Sequence, residues 1–492
     1  MQQTLAPSLL KDLKEKGVDI DRTLALLDLL GPLPQTDSSR IPDAGDPRVI
    51  DRTLPAHLAM DRTEAARRLE ELGLPEACLP SAGSEGSAEF GEQDLRGILL
   101  YPKVAYGVLN GGSATTYVDR KKNRELDPVA FDLMETEFDA AVAYAADAPK
   151  GATPAFVEAD GTVGPSFLLL KMRSLLLKAI EYRRASGDRT TPVLPFFQMT
   201  SRATDANLRE AYRRYAEDSA LAPLIAEAGV DPTAALGEIQ PLLAALTHSA
   251  AGMPRGIFGA AYGKENAGLA LPGGHGENFR VLTPVYRRLR ERGIRWAYLG
   301  NVDNSGYTVD PVSVAMIALK GAPAAFEFAW KTPVDVKGGI LVERGDGRLA
   351  VGEIGQSLEK AAADDAERAG KPILFNCATG LFDLDYLVPR LSRIADSLPI
   401  RVSDQDKEAG RYAQAEQNTW DIIGLLDDPL IFAVAKERRF IAAKMLLETL
   451  LASPAGARID GAPGVKPGLA AASARLRKGL AELLATEYAL DR

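Results

Sequence analysis

A chain of 492 residues with 46% hydrophobic and 25% charged side chains is long enough for about three domains and has the make-up of a soluble globular protein. Its formal net charge of −9 offers no large basic surplus, which excludes nucleic-acid binding as the main task but allows a few placed Lys and Arg to hold a phosphorylated ligand. The two cysteines, Cys78 and Cys377, argue against a disulfide framework or a cysteine zinc site; no apolar run reaches ~18 residues, and residues 1–5 do not start like a secretory signal, so a cytoplasmic location without a membrane span is expected.

Residues 1–95 read as an amino-terminal helical segment, with amphipathic stretches at 9–13, 23–27 and 63–72 and Pro-rich loops at 32–47 and 80–91. From residue 96 to 420 the texture changes. Short apolar runs at 105–109, 193–198, 295–300 and 324–329 alternate with helical patterns at 166–185, 205–216, 278–292 and 311–320. This alternation predicts an α/β domain built on a mixed, mostly parallel Rossmann-like sheet with covering helices. The runs 339–344 and 348–354 flank Gly345-Asp346-Gly347, a hairpin turn inserted in that domain. Residues 421–492 turn mainly helical again, with apolar residues at helical spacing in 438–452 and an Ala- and Leu-rich stretch at 468–490.

Five constellations carry chemistry, although each alone is also what an ordinary turn produces. Asn301-Val302-Asp303-Asn304-Ser305-Gly306 follows the apolar run 294–300. A carboxylate just past the C-terminal end of such a strand sits where open α/β sheets bind ligands, so Asp303 is a candidate Mg2+ ligand shared with substrate phosphates. Leu109-Asn110-Gly111-Gly112-Ser113-Ala114-Thr115-Thr116 also follows a strand, and its glycines let backbone N–H groups approach a phosphate or a base. Lys121 and Lys122 come shortly after and could neutralise phosphate. Pro272-Gly273-Gly274-His275-Gly276-Glu277-Asn278 sets one histidine in a loop of low bulk that could close over a base or a phosphate. Lys331-Thr332-Pro333-Val334-Asp335-Val336-Lys337-Gly338-Gly339 places Lys beside glycine backbone, and Glu353-Ile354-Gly355-Gln356 ends a strand on a carboxylate that could accept sugar hydroxyls.

The order and spacing of these segments resemble the UDPGP family of sugar-nucleotide pyrophosphorylases over roughly residues 100–445. Leu109-Asn110-Gly111-Gly112 with Thr115 resembles the family's nucleotide loop, in the form of its glucose-type members. The stretch 193–207, with Met199, resembles its M-[NT]-S strand. Phe375-Asn376 resembles the start of F-N-T-N-N, and Arg439-Phe440-Ile441-Ala442-Ala443-Lys444 resembles R-F-x-P-V-K. The resemblance implies a nucleotidyltransferase fold of the GT-A-like type and a uridylyltransferase that makes UDP-sugar and pyrophosphate from UTP and a sugar 1-phosphate, glucose 1-phosphate first. A UDP-N-acetylglucosamine or broad UDP-sugar pyrophosphorylase, and a lapsed nucleotide-sugar-binding homologue, are the alternatives. It implies phosphate-neutralising roles for Lys122 (or Lys121), Lys337 and Lys444, with Mg2+ on Asp303. It implies substrate contacts by Leu109, Asn110, Gly111, Gly112, Met199, Gly274, His275, Gly276, Asn301, Asn304, Gly338, Glu353, Asn376 and Thr379. Three departures stand out. Ala114 and Val118 replace glycines of the loop, whose Pro-Lys end is replaced by Lys121-Lys122-Asn123; a kept φ > 0 at Ala114 would cost on the order of 1–2 kcal/mol, so a rebuilt loop is expected. Cys377-Ala378-Thr379-Gly380 replaces the sugar-side Asn pair. The tail reads as helical, where glucose-type relatives often carry a β-helix.

Overall fold

The computed structural model describes residues 5–30, 39–43, 45–80, 86–145, 148–332, 338–354, 358–466 and 468–490. Lys337, Gly355 and Gln356 lie outside the described residues.

The apolar runs become the strands of one large sheet. Among the described residues it has ten: β1 (Val49–Asp51), β2 (Val104–Leu109), β3 (Phe196–Ser201), β4 (Leu236–Gln240), β5 (Trp296–Asn301), β6 (Ala324–Trp330), β7 (Gly339–Glu343), β8 (Leu349–Glu353), β9 (Leu374–Asp383) and β10 (Leu430–Val434). Their order is β1-β10-β6-β9-β5-β2-β3-β4, with the β7–β8 hairpin attached beside β9. Along that path only β9 runs antiparallel to its neighbours; the other pairings are parallel. Period-2 alternation splits the side chains between the two faces. Val104, Tyr106, Val108, Trp296 and Tyr298 enter one core, and Ala105, Leu109, Ala297 and Leu299 enter the other. Strands buried on both faces read as continuous apolar runs, which is why they were legible.

Helices cover both cores. The helix Phe167–Ser186 is capped by the Ser166 hydroxyl and ended by Gly187 in the left-handed region. Buried apolar side chains on more than one side, from Phe167 to Ile180, make it an interior element. The helices Asp205–Ala216 and Pro311–Lys320 keep the limits their sequence suggests.

Four features were not read from the sequence. The described residues among the first 95 are not helical alone: they give β1 to the large sheet and form an antiparallel pair, His57–Asp61 with Ser87–Gly91, around the helix Arg62–Glu71. Helices Arg120–Leu126, Pro128–Leu133 and Glu135–Ala145 are inserted after the glycine loop. The expected helix over 438–452 is two short ones, Lys436–Arg439 and Leu446–Ala452, with residues 440–445 non-helical between them. A flap stands beside the C-terminal ends of β3 and β4. In it Leu242–Ala244 pairs with Ala270–Pro272, and Leu246–Thr247 pairs with the hairpin Ile400–Lys407/Gly410–Gln417. The helices α1 (Pro7–Glu15) and α2 (Ile20–Leu29) pack on it through Leu9, Leu13 and Leu24. Among the described residues no helix is long and apolar enough to cross a membrane.

Candidate functional site

Strand register brings the predicted segments to one edge. Leu109 pairs with both Met199 and Asn301, and Gly300 pairs with Thr379. The loops after β2, β3, β4 and β5 therefore leave the sheet side by side at the strands' C-terminal ends, where open α/β sheets hold ligands.

Asn110 turns inward. Its N–H donates to Met199 O (2.9 Å) and its Nδ2 to Gln198 Oε1 (3.0 Å), which also accepts the Tyr212 hydroxyl (2.5 Å). Asn110 is fully buried and supports the floor of the loop, while Gly111 and Gly112 form its rim. Ala114 does not occupy the left-handed region, so the strain of a kept glycine geometry does not arise. The loop is rebuilt against residues 148–150: Ala114 N–H donates to Ala148 O (3.2 Å), Lys150 N–H to Gly112 O (3.1 Å), and Ser113 bridges Pro149.

This short ladder delivers a lysine that sequence reasoning missed. The Lys150 ammonium lies 2.5 Å from Asp303 Oδ2 and 5.0 Å from the Tyr117 ring centre, with both charged side chains 13% exposed. Lys121 and Lys122 are exposed on the helix Arg120–Leu126. That helix turns its buried Asn123 inward, donating to Tyr117 O (2.9 Å) and accepting Leu447 N–H (2.7 Å). Pro149-Lys150 thus reaches the loop from beyond the inserted helices. The dipeptide itself was the available signal, shared only with Pro102-Lys103.

The Asp303 segment is clamped from three sides. Lys171, from the helix Phe167–Ser186, donates its ammonium to Asn304 O and to Tyr307 O (2.7 Å); burial holds it well below its usual pKa. Tyr488, past the carboxy-terminal helix Leu469–Thr486, donates its hydroxyl to Ser305 O (2.5 Å). The buried Asn304 side chain donates to Arg439 O (2.9 Å) and accepts Ile441 N–H (3.0 Å), so it is spent on structure rather than presented to a ligand. These bonds and Ala443 N–H to Asp303 O (3.3 Å) hold residues 440–445 out of helix and against the site. Lys444 is exposed there, and its ammonium has no partner among the described residues.

The histidine loop closes the opposite side. Gly274 has φ +83°, and a Cβ on it would stand 2.4 Å from Gln417 O; one on Gly276 would stand 2.6 Å from Gln417 C. Only glycine lets the loop lie this close to that strand. Gln240, at the end of β4, donates to Gly274 O (2.6 Å) and lies beside Gly111, linking the two glycine loops. Thr419 N–H donates to His275 Nδ1 (3.1 Å), which makes Nδ1 an acceptor and leaves the proton of the neutral ring on Nε2. Burial first, then the charges of Arg401 and Lys444, push the imidazole pKa down to about 4. Gln240, Arg401 and Thr419 were not singled out from the sequence.

On the expected sugar side, Glu353 is paired with Arg401, which also donates to Asp421 (2.7 and 3.2 Å). Asn376 accepts Ala378 N–H (2.9 Å) with its own Oδ1, at an irregularity of the β6–β9 ladder. Ala378 there has φ +51°. Thr379 is buried in the sheet. Gly338 packs under Phe375, whose ring lies 2.3 Å from where a Cβ would stand. Among the described residues no group of three or more His, Cys, Asp or Glu side chains could enclose a metal ion. A single carboxylate, Asp303, beside open polar loops fits Mg2+, which keeps waters and takes substrate phosphates as further ligands.

Residues 260–454 match the family model UDPGP, described as UTP–glucose-1-phosphate uridylyltransferase. No curated protein matches the chain in sequence. Solved structures with this fold include a UDP-glucose phosphorylase from Trypanosoma brucei, 17% identical, with 90% of this chain and 77% of that chain covered and a TM-score of 0.57. A mutant UDP-glucose pyrophosphorylase from Leishmania major in complex with UDP-glucose is 16% identical, with 91% and 79% covered and a TM-score of 0.54. A protein described as a UDP-N-acetylglucosamine pyrophosphorylase from Entamoeba histolytica is 17% identical, with 71% and 78% covered and a TM-score of 0.51. Through its residues 260–454 the chain is similar to the UDPGP family, and its fold is the one these solved structures share.

Proposed function

We propose that the chain is a uridylyltransferase that joins UTP to a sugar 1-phosphate, releasing pyrophosphate, and that glucose 1-phosphate is its preferred sugar. The observation that carries this reading is Lys150 beside Asp303 at the mouth of the glycine loop. The family match and the nucleotide-sugar-bound neighbour support it. In the reaction a phosphate oxygen of the sugar 1-phosphate attacks the α-phosphorus of UTP in line, and the bond to the pyrophosphate oxygen breaks. The nucleophile is already anionic, so the protein's task is to hold two polyanions in line and offset their repulsion. Gly111 and Gly112 would admit the nucleotide closely, and His275, neutral at pH 7, would donate from Nε2 without adding charge. Lys150 and Lys444 would set fixed positive charge on either side of the reacting phosphates. Mg2+, held by Asp303 and the substrate phosphates, would supply further charge neutralisation when bound. Lys337, outside the described residues, keeps its proposed place at the sugar phosphate.

Glucose rests on the Leu109-Asn110 start of the loop and on the histidine loop. The test is pyrophosphate release from UTP across a panel of sugar 1-phosphates. Highest kcat/KM with glucose 1-phosphate is expected. A preference for N-acetylglucosamine 1-phosphate would move the chain to the sister activity, and no release with any sugar would defeat the enzymatic reading.

A further inference from the structure

The histidine loop is held from beneath by a residue of the amino-terminal helices. Asp19 caps α2, accepting Arg22 N–H at 2.9 Å, and this fixes Arg22 in the first helical turn. The guanidinium then runs inward. Its Nε lies 3.0 and 3.3 Å from the two Glu277 oxygens, and its Nη2 lies 2.5 Å from Glu277 Oε1 and 2.8 Å from Gln417 Oε1. The two side chains are 6% and 0% exposed. Taking both charges out of water is costly, and an apolar pair could fill the space at equal stability, so the pair is better explained by geometry than by stability.

That geometry concerns the loop. Glu277 immediately follows His275 and Gly276, and the loop's three glycines leave its backbone free unless something fixes it. Gln417 ties the same unit: its N–H donates to Gly273 O (2.9 Å) and its Nε2 to Ala395 O and Leu398 O (both 3.0 Å). α2 also holds the stem that feeds the loop. Asp19 N–H donates to Leu242 O (2.8 Å), and Ala244 N–H donates to Thr23 Oγ1 (3.1 Å), on the strand paired with Ala270–Pro272.

We infer that Arg22 is a positioning residue for the nucleotide: brought in by the amino-terminal helices, it sets the loop 273–278 and thereby the affinity for UTP, without touching it. The inference rests on the reading of that loop as a nucleotide-binding one. Releasing Glu277 would leave the loop to be ordered at the moment of binding, which weakens UTP by about tenfold.

The experiment uses the full chain and measures the Kd for UTP by calorimetry, the KM for each substrate, kcat and the Tm. Wild type, Arg22→Met, Arg22→Lys and the double variant Arg22→Met/Glu277→Leu are compared. The single Met variant is expected to lose both melting temperature and UTP affinity. The double variant is expected to regain the melting temperature but not the affinity, with KM for the sugar phosphate and kcat within about threefold of wild type; Arg22→Lys should recover part of the affinity. If Arg22→Met does not fold, the double variant carries the test alone. An unchanged UTP Kd in a folded variant overturns the inference. A wild-type chain that does not bind UTP overturns the nucleotide reading of the loop, and the inference with it.

Discussion

Exchanging Lys150 for alanine removes the one ammonium within hydrogen-bond reach of Asp303 among the described residues. Loss of a fixed charge aimed at the reacting phosphates typically costs about 100-fold or more in kcat, and that loss is expected here. Lys122→Ala, on the exposed face of an inserted helix, is expected to leave kcat/KM unchanged and stability within about 0.5 kcal/mol. Steady-state kinetics on the two variants decide between the lysines. His275 gives a pH signature. The folded chain keeps its ring neutral down to about pH 4, whereas the unfolded chain protonates it near the ordinary 6.5. Between those values the unfolded state binds a proton that the folded state does not, so stability falls as pH is lowered through the window. Urea melts of His275→Gln should show a shallower fall there than wild type. Ala378, with φ +51°, bears strain that glycine would not; Ala378→Gly is expected to raise stability by about 0.5–1 kcal/mol in the same melts. At this scale the sequence was readable where backbone geometry forces a residue type, as at Gly274 with φ +83°. It did not place Lys150 beside Asp303, because adjacency in space is not adjacency in the chain. Asn110 and Asn304 carry the expected residue types, but their side chains turn inward.

The segment 440–445 shows how an element's fate is set by its neighbours. Its apolar spacing suits a helix continuous with Leu446–Ala452, yet the Asn304 side chain claims the backbone at 439 and 441. Two backbone groups bonded to a buried amide are no longer available to a helical ladder, so tertiary contact overrides propensity. The outcome places Lys444 beside the site instead of on a solvated helix face. The carboxy-terminal helix acts in the same way through Tyr488. Tyr488→Phe is expected to cost about 1 kcal/mol from the lost bond to Ser305 O and to lower kcat several-fold, because Asp303 is two residues away. A thermal shift with kcat unchanged would assign Tyr488 to the fold alone. Strand limits for β2, β5 and β6 came within a residue or two of the pattern, since strands buried on both faces are unbroken apolar runs. The three inserted helices and the flap were not readable, because short amphipathic pieces take their place from what they pack against.

Across the whole molecule, three long-range bonds fasten distant chain segments to the ends of one sheet. Lys150 and Asp303 are 153 residues apart, Tyr488 and Ser305 are 183 apart, and Arg22 and Glu277 are 255 apart. The sheet was legible as a mostly parallel one because strands and helices alternate along residues 96–420, and a parallel neighbour needs a covering crossover between its strands. The fastenings were not, since no local pattern encodes a pair so far separated. They bear on time as well as on shape. Closing such loops is entropically costly, and contacts between remote residues slow the search for the native state. The helices can form early, whereas Asp303 meets Lys150 only after the central crossover has closed. On refolding from urea, turnover is therefore expected to return later than helical circular dichroism, and recovery of the two together would mean that the site closes along with the first helices.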